Sequence, residues 1–239
     1  MHISDYGGAP NGSDTAPAWN VALEQMINDP SKELVFDKGV YEFHTSITRL
    51  IDDGGIMLRG RGSWNTFLRR NFSQDPAENF IEIQGRGSGV EHLAIVTAPG
   101  TTGGRGLYMF CDNSTLPGGK HAIRDVRISG TLVDGVHQGT FNVPFFARGD
   151  ARTISPIGMR QIFIENLTVF DGQAWLAQFW GCLSCEWFGG GAWQAGGTAK
   201  GIAIGGTLPG VTTFKNRIDA DIWWTNSSVA AGQMRGHGP

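Results

Sequence analysis

The stretch Gly181–Phe188, GCLSCEWF, carries apolar side chains at three fixed positions: Cys182, Cys185 and Trp187. Three upstream runs have apolar residues at the same first, fourth and sixth positions: Val90/Leu93/Ile95, Ile123/Val126/Ile128 and Met159/Ile162/Ile164. The first positions of the four runs are Val90, Ile123, Met159 and Cys182, so successive runs lie 33, 36 and 23 residues apart. Such a repeat predicts a solenoid, because one short coil buries its apolar face only by stacking on its neighbours.

The C-x-x-C spacing of Cys182 and Cys185 also occurs in zinc and redox sites. Those sites need a second ligand pair or a strand-to-helix turn, and neither accompanies this motif in the sequence. Free cysteine packs as a small hydrophobe, and here it occupies positions that hold Ile, Val and Met in other runs. The sequence therefore favours a core role, with metal or redox chemistry as the alternative, and it predicts no metal and no cofactor.

Composition excludes several classes of partner. The formal net charge is -3, and 17% of the 239 residues are charged, without a Lys/Arg run that would indicate a nucleic-acid partner. No apolar stretch is long enough to insert in a membrane, and the N-terminus lacks the basic and apolar regions of a signal peptide. Three cysteines without a disulfide framework indicate synthesis in a reducing cytoplasm. A glycan or another protein is the partner that fits best.

One helix and many short strands are expected. Ser13 or Asp14 can cap a helix over 15–28, whose apolar face contains Trp19, Leu23 and Met26. Short β-rich runs separated by glycine turns follow it. We expect three segments: an N-terminal segment with a capping helix at 1–30, a solenoid at 31–225, and an extended tail at 226–239.

The N-terminal part has a recognisable motif order. It runs SDYGGAPNGSDTAPAWNVALE (4–24), LVFDKGVYEF (34–43) and IMLRGRGSWNTFLRR (56–70). This order resembles the opening of pectate-lyase-like right-handed parallel β-helix proteins, and such openings are frequent in phage tailspikes. Two details depart from the usual form, since FDKGVY lacks the proline before its glycine and SDTAP replaces a double aspartate. The fold class implied is all-β, a right-handed single-stranded parallel β-helix with a short N-terminal capping helix.

The resemblance also implies a function. It implies a phage or phage-like virion protein, made in the host cytoplasm, that forms a homotrimer and contacts other virion proteins and host surface polysaccharide. It would act as a tailspike adhesin or as a capsid or tail decoration component. A polysaccharide depolymerase, either a glycoside hydrolase or a lyase, is the alternative, and a cellular β-helix protein is a third class. Because the motif begins near residue 5, we expect either an excised fragment or a compact virion component.

Candidate site residues follow from the chemistry that each class needs. Glycosidic cleavage uses two carboxylates about 5 to 9.5 Å apart, and stacked coils lie about 4.8 Å apart. Asp134, Asp171 and Glu186 are the catalytic candidates if the chain is an enzyme, although aspartate before glycine is also common turn chemistry. Trp175 and Trp193 flank loops and are the ligand-binding candidates, with a core or subunit-contact role as the alternative.

The C-terminal strand raises a separate expectation. Ile222, Trp223 and Trp224 alternate across a strand, so at least one tryptophan should face outward beside an uncapped solenoid end. We expect a neighbouring subunit or virion protein to cover this end, with the tail from Asn226 extended along that partner.

Overall fold

The computed structural model describes residues 1–26, 29, 32–47, 50–52, 55–85, 87–112, 121–134, 136–150, 159–194, 199–205, 217–224 and 232–235. A 3-10 turn at Ile3–Tyr6 and helix α1 at Ala16–Met26 precede the strands. The strands are β1 (Glu33–Val35), β2 (Gly39–Phe43), β3 (Leu50–Asp52), β4 (Met57–Arg59), β5 (Thr66–Arg70), β6 (Asn79–Gly85), β7 (Gly89–Thr97), β8 (Arg105–Asp112), β9 (His121–Val133), β10 (Val136–Gln138), β11 (Val143–Asp150), β12 (Met159–Phe170), β13 (Trp175–Trp180), β14 (Cys182–Gln194), β15 (Lys200–Gly205), β16 (Arg217–Trp224) and β17 (Gly232–Arg235). Among the described residues, no helix is long and apolar enough to span a bilayer.

The strands stack in three faces. The first face contains β1, β4 and the N-terminal halves of β7, β9, β12, β14 and β16, while the second contains β2, β5 and the C-terminal halves of those long strands. The third face contains β3, β6, β8, β11, β13, β15 and β17. All these neighbours pair in parallel, and crossovers between parallel strands are right-handed almost without exception. The predicted fold class, an all-β parallel β-helix with an N-terminal capping helix, is confirmed.

A one-residue bend separates the first face from the second. The bend residues have positive φ: His92 at 56°, Asp125 at 48°, Asn166 at 56° and Gly189 at 67°. Glycine, asparagine, aspartate and histidine are the residue types that adopt this conformation most readily. The strand pairing on both sides of the bend places the four residues one above another. We call this set the bend column.

Helix α1 covers the first coil, as predicted. Trp19 is fully buried, and its ring lies 6.3 Å from that of Phe36 and edge-on to Phe43 at 5.9 Å. The Asp14 carboxylate accepts hydrogen bonds from the amides of Ala16 and His44, both at 3.0 Å. This capping interaction satisfies the helix N-terminus and ties it to the end of β2. The last two residues of the predicted helix lie outside the described residues.

The two cysteines face the core, which confirms that prediction. Cys182 and Cys185 are 0% and 2% exposed, and the Cys182 thiol lies 3.5 Å from the carbonyl oxygen of Ala147. Burial, followed by the neighbouring Cys185, raises the pKa of the Cys182 thiol well above its ordinary value, so the thiolate that metals and disulfides need is disfavoured. No cluster of three or more potential metal ligands occurs within the described part of the chain.

One step of the predicted repeat is wrong. Ile123, Val126 and Ile128 pair with Ile164, Leu167 and Val169 and not with Met159, Ile162 and Ile164. The separation between Ile123 and its partner Ile164 is therefore 41 residues, five more than expected. The spacing pattern matched the wrong set because β12 begins earlier on the first face than β7 does and adds apolar residues there. The next step is right, since Met159 pairs with Cys182 and Ile164 with Trp187.

The correct register places a histidine in an apolar core position. His121 pairs with Ile162, which pairs in turn with Cys185. His121 is 2% exposed, and within the described residues neither ring nitrogen forms a well-aligned hydrogen bond, although the Ser88 backbone slightly favours the charged ring. Burial lowers the pKa of His121 to about 4. The histidine is therefore a neutral core residue at physiological pH.

The C-terminal part is described in segments. Strand β17 pairs in parallel with β15 and extends the third face by one strand. Residues 225–231 and 236–239 and the side chains of Trp223 and Trp224 lie outside what the structure describes. The segment boundaries at 30 and 225 and the covered C-terminal end therefore stay predictions.

Changing Cys182 and Cys185 to serine tests their core role. The double serine variant should lose a few kcal/mol of unfolding free energy in urea, since a buried hydroxyl without a partner costs about 1–3 kcal/mol. The double alanine variant is the control, because it removes the sulfur atoms without adding hydroxyl groups. Stoichiometric zinc in the purified protein, or serine variants as stable as the wild type, would contradict the prediction.

His121 should make the protein sensitive to acid. Its folded pKa of about 4 lies below the unfolded value of 6.5, so the unfolded chain binds the proton first and the unfolding free energy falls as pH drops from 6.5 towards 4. At pH 5 this one group should contribute about 2 kcal/mol of that loss. His121→Leu should abolish this share when urea unfolding is compared at pH 7.5 and pH 5. Substitution of the exposed His44 by leucine is the control. Equal acid sensitivity of wild type and His121→Leu would refute the role of His121 as a buried, neutral histidine.

Candidate functional site

The outward surface of the third face carries a cluster of aromatic and basic side chains. Alternate residues of β8, β11 and β13 point into the core, for example Leu107, Phe145 and Ala177. Tyr108 and Phe146, from the positions between them, belong to a second apolar cluster on the opposite side of the sheet. We call this outward cluster the aromatic panel, and its members are Tyr108, Phe110, Phe146, Trp175 and Trp180 with the cations Arg105, Arg148 and Lys200.

The rings of the aromatic panel pack directly on one another. Phe146 is fully buried, and its ring lies 5.3 Å from Tyr108 and edge-on to Trp180 at 4.8 Å. Tyr108 and Phe110 stack in parallel at 5.9 Å. Phe110, Trp175 and Trp180 remain half-buried at the rim. Such an arrangement is rigid at its centre and presents flat apolar surface at its edge.

Cations lie over the rings of the panel. The Arg105 guanidinium is 4.8 Å from the Phe146 centroid and 5.2 Å from that of Tyr108, and the Lys200 ammonium is 5.2 Å from that of Trp175. Burial lowers the pKa of Arg105 and raises that of Tyr108, because it disfavours the charged form of each group. The panel thus combines apolar surface with hydrogen-bond donors, which suits binding of polar ring compounds.

The two ligand-binding tryptophans predicted from the sequence lie on different faces. Trp175 belongs to the aromatic panel, where its Cα partner is Lys200. Trp193 is on the second face and stacks on Phe170 with ring centroids 5.0 Å apart. Both are half-buried. They therefore belong to separate surfaces. The sequence reasoning did not identify the other aromatic residues of the panel, Tyr108, Phe110, Phe146 and Trp180.

The predicted catalytic carboxylates occupy three different parts of the solenoid. Asp134 is exposed at the turn between β9 and β10 and has φ of 50°, as an Asp-Gly hairpin turn requires. Asp171 is buried after β12, where its amide donates to the Trp193 carbonyl at 3.0 Å. Glu186 is exposed on the first face opposite Phe163. Turn geometry accounts for Asp134, and the catalytic roles stay predictions.

Strand β16 carries two further carboxylates, and these are also separated. Asp219 pairs with Phe188 on the first face, whereas Asp221 pairs with Gly191 on the second, with a register shift between them. The strand bends between the two residues, so simple alternation along β16 does not bring them to one surface.

A polar cluster surrounds the bend column and resembles a catalytic set in composition only. The Ser63 hydroxyl donates to Asp125 Oδ1 at 2.7 Å, Asn166 Nδ2 donates to the same oxygen at 3.2 Å, and His92 Nδ1 lies 3.3 Å from Oδ2. Burial alone would raise the pKa of Asp125, but the hydrogen bonds from Ser63 and His92 outweigh it and hold the pKa below its usual value. Ser63 donates to a carboxylate whose lowered pKa makes it a weak base, and not to an imidazole, so the serine–imidazole contact of a catalytic triad is missing. These hydrogen bonds stabilise the backbone conformation of the bend.

Charged side chains on the first face neutralise one another. Arg59 lies 3.1 Å from Glu91, Glu91 lies 2.8 Å from Arg124, and Arg124 lies 3.6 Å from Glu165. Glu91 is almost completely buried between the two arginines. This alternating ladder pairs the charges of Arg59, Glu91 and Arg124 with one another, so the outward panel of the third face is the stronger candidate.

Comparisons with known proteins identify the fold. Neither a protein-family model nor a curated protein matches the chain. Among solved structures, the Agl-KA catalytic domain is 14% identical with a TM-score of 0.50, over 92% of this chain and 36% of that one. ORF18 of Geobacillus virus E2 is 13% identical with a TM-score of 0.36, over 99% of this chain and 62% of that one.

A third similar structure is the A-module of mannuronan C-5 epimerase AlgE4 from Azotobacter vinelandii. It is 10% identical with a TM-score of 0.33, over 100% of this chain and 98% of that module. The chain spans about a third of the Agl-KA domain and under two thirds of the viral protein. At 14% identity, the likeness to the Agl-KA domain bears on architecture alone, and it agrees with the strand pairing of the three faces. The chain therefore has a parallel β-helix fold.

Proposed function

We propose that this chain is a polysaccharide-binding β-helix of a phage or phage-like virion and that it binds host surface glycan through the aromatic panel. The single observation that carries the proposal is the presence of half-buried Trp175 and Trp180 at the edge of a rigid, cation-bearing aromatic surface. An indole ring covers the apolar C–H side of a pyranose, and neighbouring Arg and Lys side chains donate hydrogen bonds to its hydroxyls. The virion assignment rests on the resemblance of the N-terminal motifs to tailspike openings.

The panel suits binding because its central rings need no rearrangement. Phe146 and Tyr108 are buried and packed against each other, so the rim tryptophans are held in place before a ligand arrives. A preorganised surface loses little side-chain entropy on binding. An adhesin that holds a long chain weakly at several such surfaces gains affinity when three copies act together.

A homotrimer is the assembly that we propose. Phe163 on the first face is 38% exposed, and its ring lies 6.0 Å from that of Phe188. Phe163 lies on β12, the strand that also carries Glu165 of the ion-pair ladder, and Phe188 lies on β14 in the next coil. An exposed apolar patch on a virion protein is a natural subunit contact.

Cleavage of the glycan is the alternative function. It would need two carboxylates at catalytic spacing, and Asp134, Asp171 and Glu186 lie on three different parts of the solenoid. No observation in the described residues favours cleavage over binding.

Substitutions in the panel test glycan binding. Trp175→Ala and Trp180→Ala should each weaken retardation in gels that contain bacterial surface polysaccharide by about thirtyfold in apparent Kd, because truncating a central aromatic contact costs about 2 kcal/mol. Trp193→Ala is the matched control, since it removes a half-buried tryptophan from another face. The same samples should show no shortening of the polysaccharide. Unretarded wild type, or equal loss in Trp193→Ala, would refute the panel as the site.

The trimer is tested independently of glycan binding. Light scattering should give three times the monomer mass for the wild type, and Phe163→Asp should lower it towards the monomer by placing a charge in the contact. Val21→Asp is the control, because Val21 is an exposed apolar residue on the capping helix. A wild type that stays monomeric at high concentration would contradict the trimer.

A further inference from the structure

A pocket of about 240 Å³ opens on the second face, away from the aromatic panel. Val40, Phe67 and Val96, from three successive coils, form its apolar floor. Trp64 and Arg127 form its walls. The volume is below the roughly 300–1,000 Å³ of sites for drug-sized ligands, which limits the occupant to a small group such as one sugar ring.

The loop between β4 and β5 brings Trp64 to this pocket. The Gly62 amide donates to the His92 carbonyl at 2.6 Å, and the Ser63 hydroxyl donates to Asp125 in the coil after next. A Cβ on Gly60 would lie 2.3 Å from the His92 carbonyl oxygen, so the loop crosses its neighbour at a distance that only glycine permits. The loop is thus fixed by contacts across two coils, while the Trp64 side chain remains 66% exposed.

Arg127 is a buried cation without a charged partner. Its guanidinium carbon lies 3.9 Å from the Trp64 ring centroid and 5.3 Å from that of Phe67, and the residue is 6% exposed. Its Nε has no hydrogen-bond partner, and no carboxylate pairs with Arg127 in the described part of the chain. Burial lowers the pKa of Arg127 to about 10, which leaves it protonated at neutral pH.

The second arginine of the pocket is already neutralised. Arg69 Nε donates to Glu42 Oε1 at 2.8 Å, and the Arg69 Nη2 group contacts the same oxygen. Glu42 is almost completely buried, so this ion pair is fixed. The pocket therefore contains one unpaired positive charge, and burying such a charge without an anion is costly.

We propose that this pocket binds the carboxylate of an acidic sugar residue, a hexuronate, with Arg127 holding the carboxylate and Trp64 covering one face of the ring. A guanidinium and a carboxylate are both planar and pair through parallel hydrogen bonds. One unpaired cation matches one negative charge. The exposed indole supplies the flat apolar surface that a pyranose ring needs.

A hydroxyl acceptor completes the site. The Thr131 hydroxyl lines the pocket and donates its proton to the Thr97 carbonyl at 2.6 Å. Its oxygen lone pairs are then available to accept a hydrogen bond from a sugar hydroxyl. The site is separate from the aromatic panel, so it does not depend on the function proposed for that surface.

Calorimetry and tryptophan fluorescence with three small probes test the proposal on the full chain. Methyl glucuronide should bind and change the Trp64 emission, whereas methyl glucoside and acetate should each bind at least about tenfold more weakly. A charge-assisted hydrogen bond and a stacked ring each contribute enough to produce that difference. If methyl glucoside binds as tightly as methyl glucuronide, Arg127 does not recognise the carboxylate. If acetate binds as tightly, the sugar ring does not contribute to binding.

Variants separate the pocket from general charge effects. Arg127→Gln should lose at least about tenfold in affinity for methyl glucuronide, and Trp64→Ala, which alters an exposed side chain and leaves the core intact, should lose a similar factor. Arg217→Gln is the matched control, because Arg217 also stacks on an aromatic ring, at 5.1 Å from Phe188, yet is exposed and lies 3.5 Å from Asp219. Absence of methyl glucuronide binding at millimolar concentration, or unchanged affinity in Trp64→Ala, would overturn the proposal. So would preference for an acidic peptide over methyl glucuronide.

Discussion

The parallel stacking of one coil on the next is the interaction on which the whole structure depends. Among the described strands, all but the hairpin strand β10 pair with an equivalent strand in the neighbouring coil, and inward side chains pack on their counterparts above and below. Because the register is repeated, a side chain at one position forms a column along the solenoid. Both the buried core and the outward surfaces are therefore built from columns, and a residue's role depends on its column more than on its neighbours in sequence.

The bend column shows how register produces local chemistry. His92, Asp125 and Asn166 share a backbone conformation that few residue types adopt, and the types that do so carry short polar side chains or an imidazole. Once stacked, these side chains hydrogen-bond to one another and capture Ser63 from a longer loop. A set that looks like serine, histidine and aspartate catalysis is thus explained by backbone geometry.

Much of the fold was predictable from the sequence, and the reasons are local. The capping helix has an N-cap and an apolar face, and Cys182 and Cys185 occupy positions that repeat along the chain. The five-residue error near β12 arose because spacing alone does not distinguish one inward position from the next in a long strand. The outward panel was only partly predictable, since Trp175 was identified while Tyr108 and Phe146 were not. The partners of an outward side chain come from other coils, and their identity follows from register and not from composition.

The loop that carries Trp64 has a consequence for the order in which the protein assembles. Ser63 belongs to the second coil, yet its partner Asp125 belongs to the fourth, so the loop docks only after two further coils have been wound. Solenoids grow by adding coils to those already formed, and a chain emerging from the ribosome is wound from its N-terminus. Until residue 127 has been synthesised and paired, Trp64 has no cation beneath it. The pocket therefore forms only when the coils stack in the correct register, since a slip of one coil would separate Trp64 from Arg127.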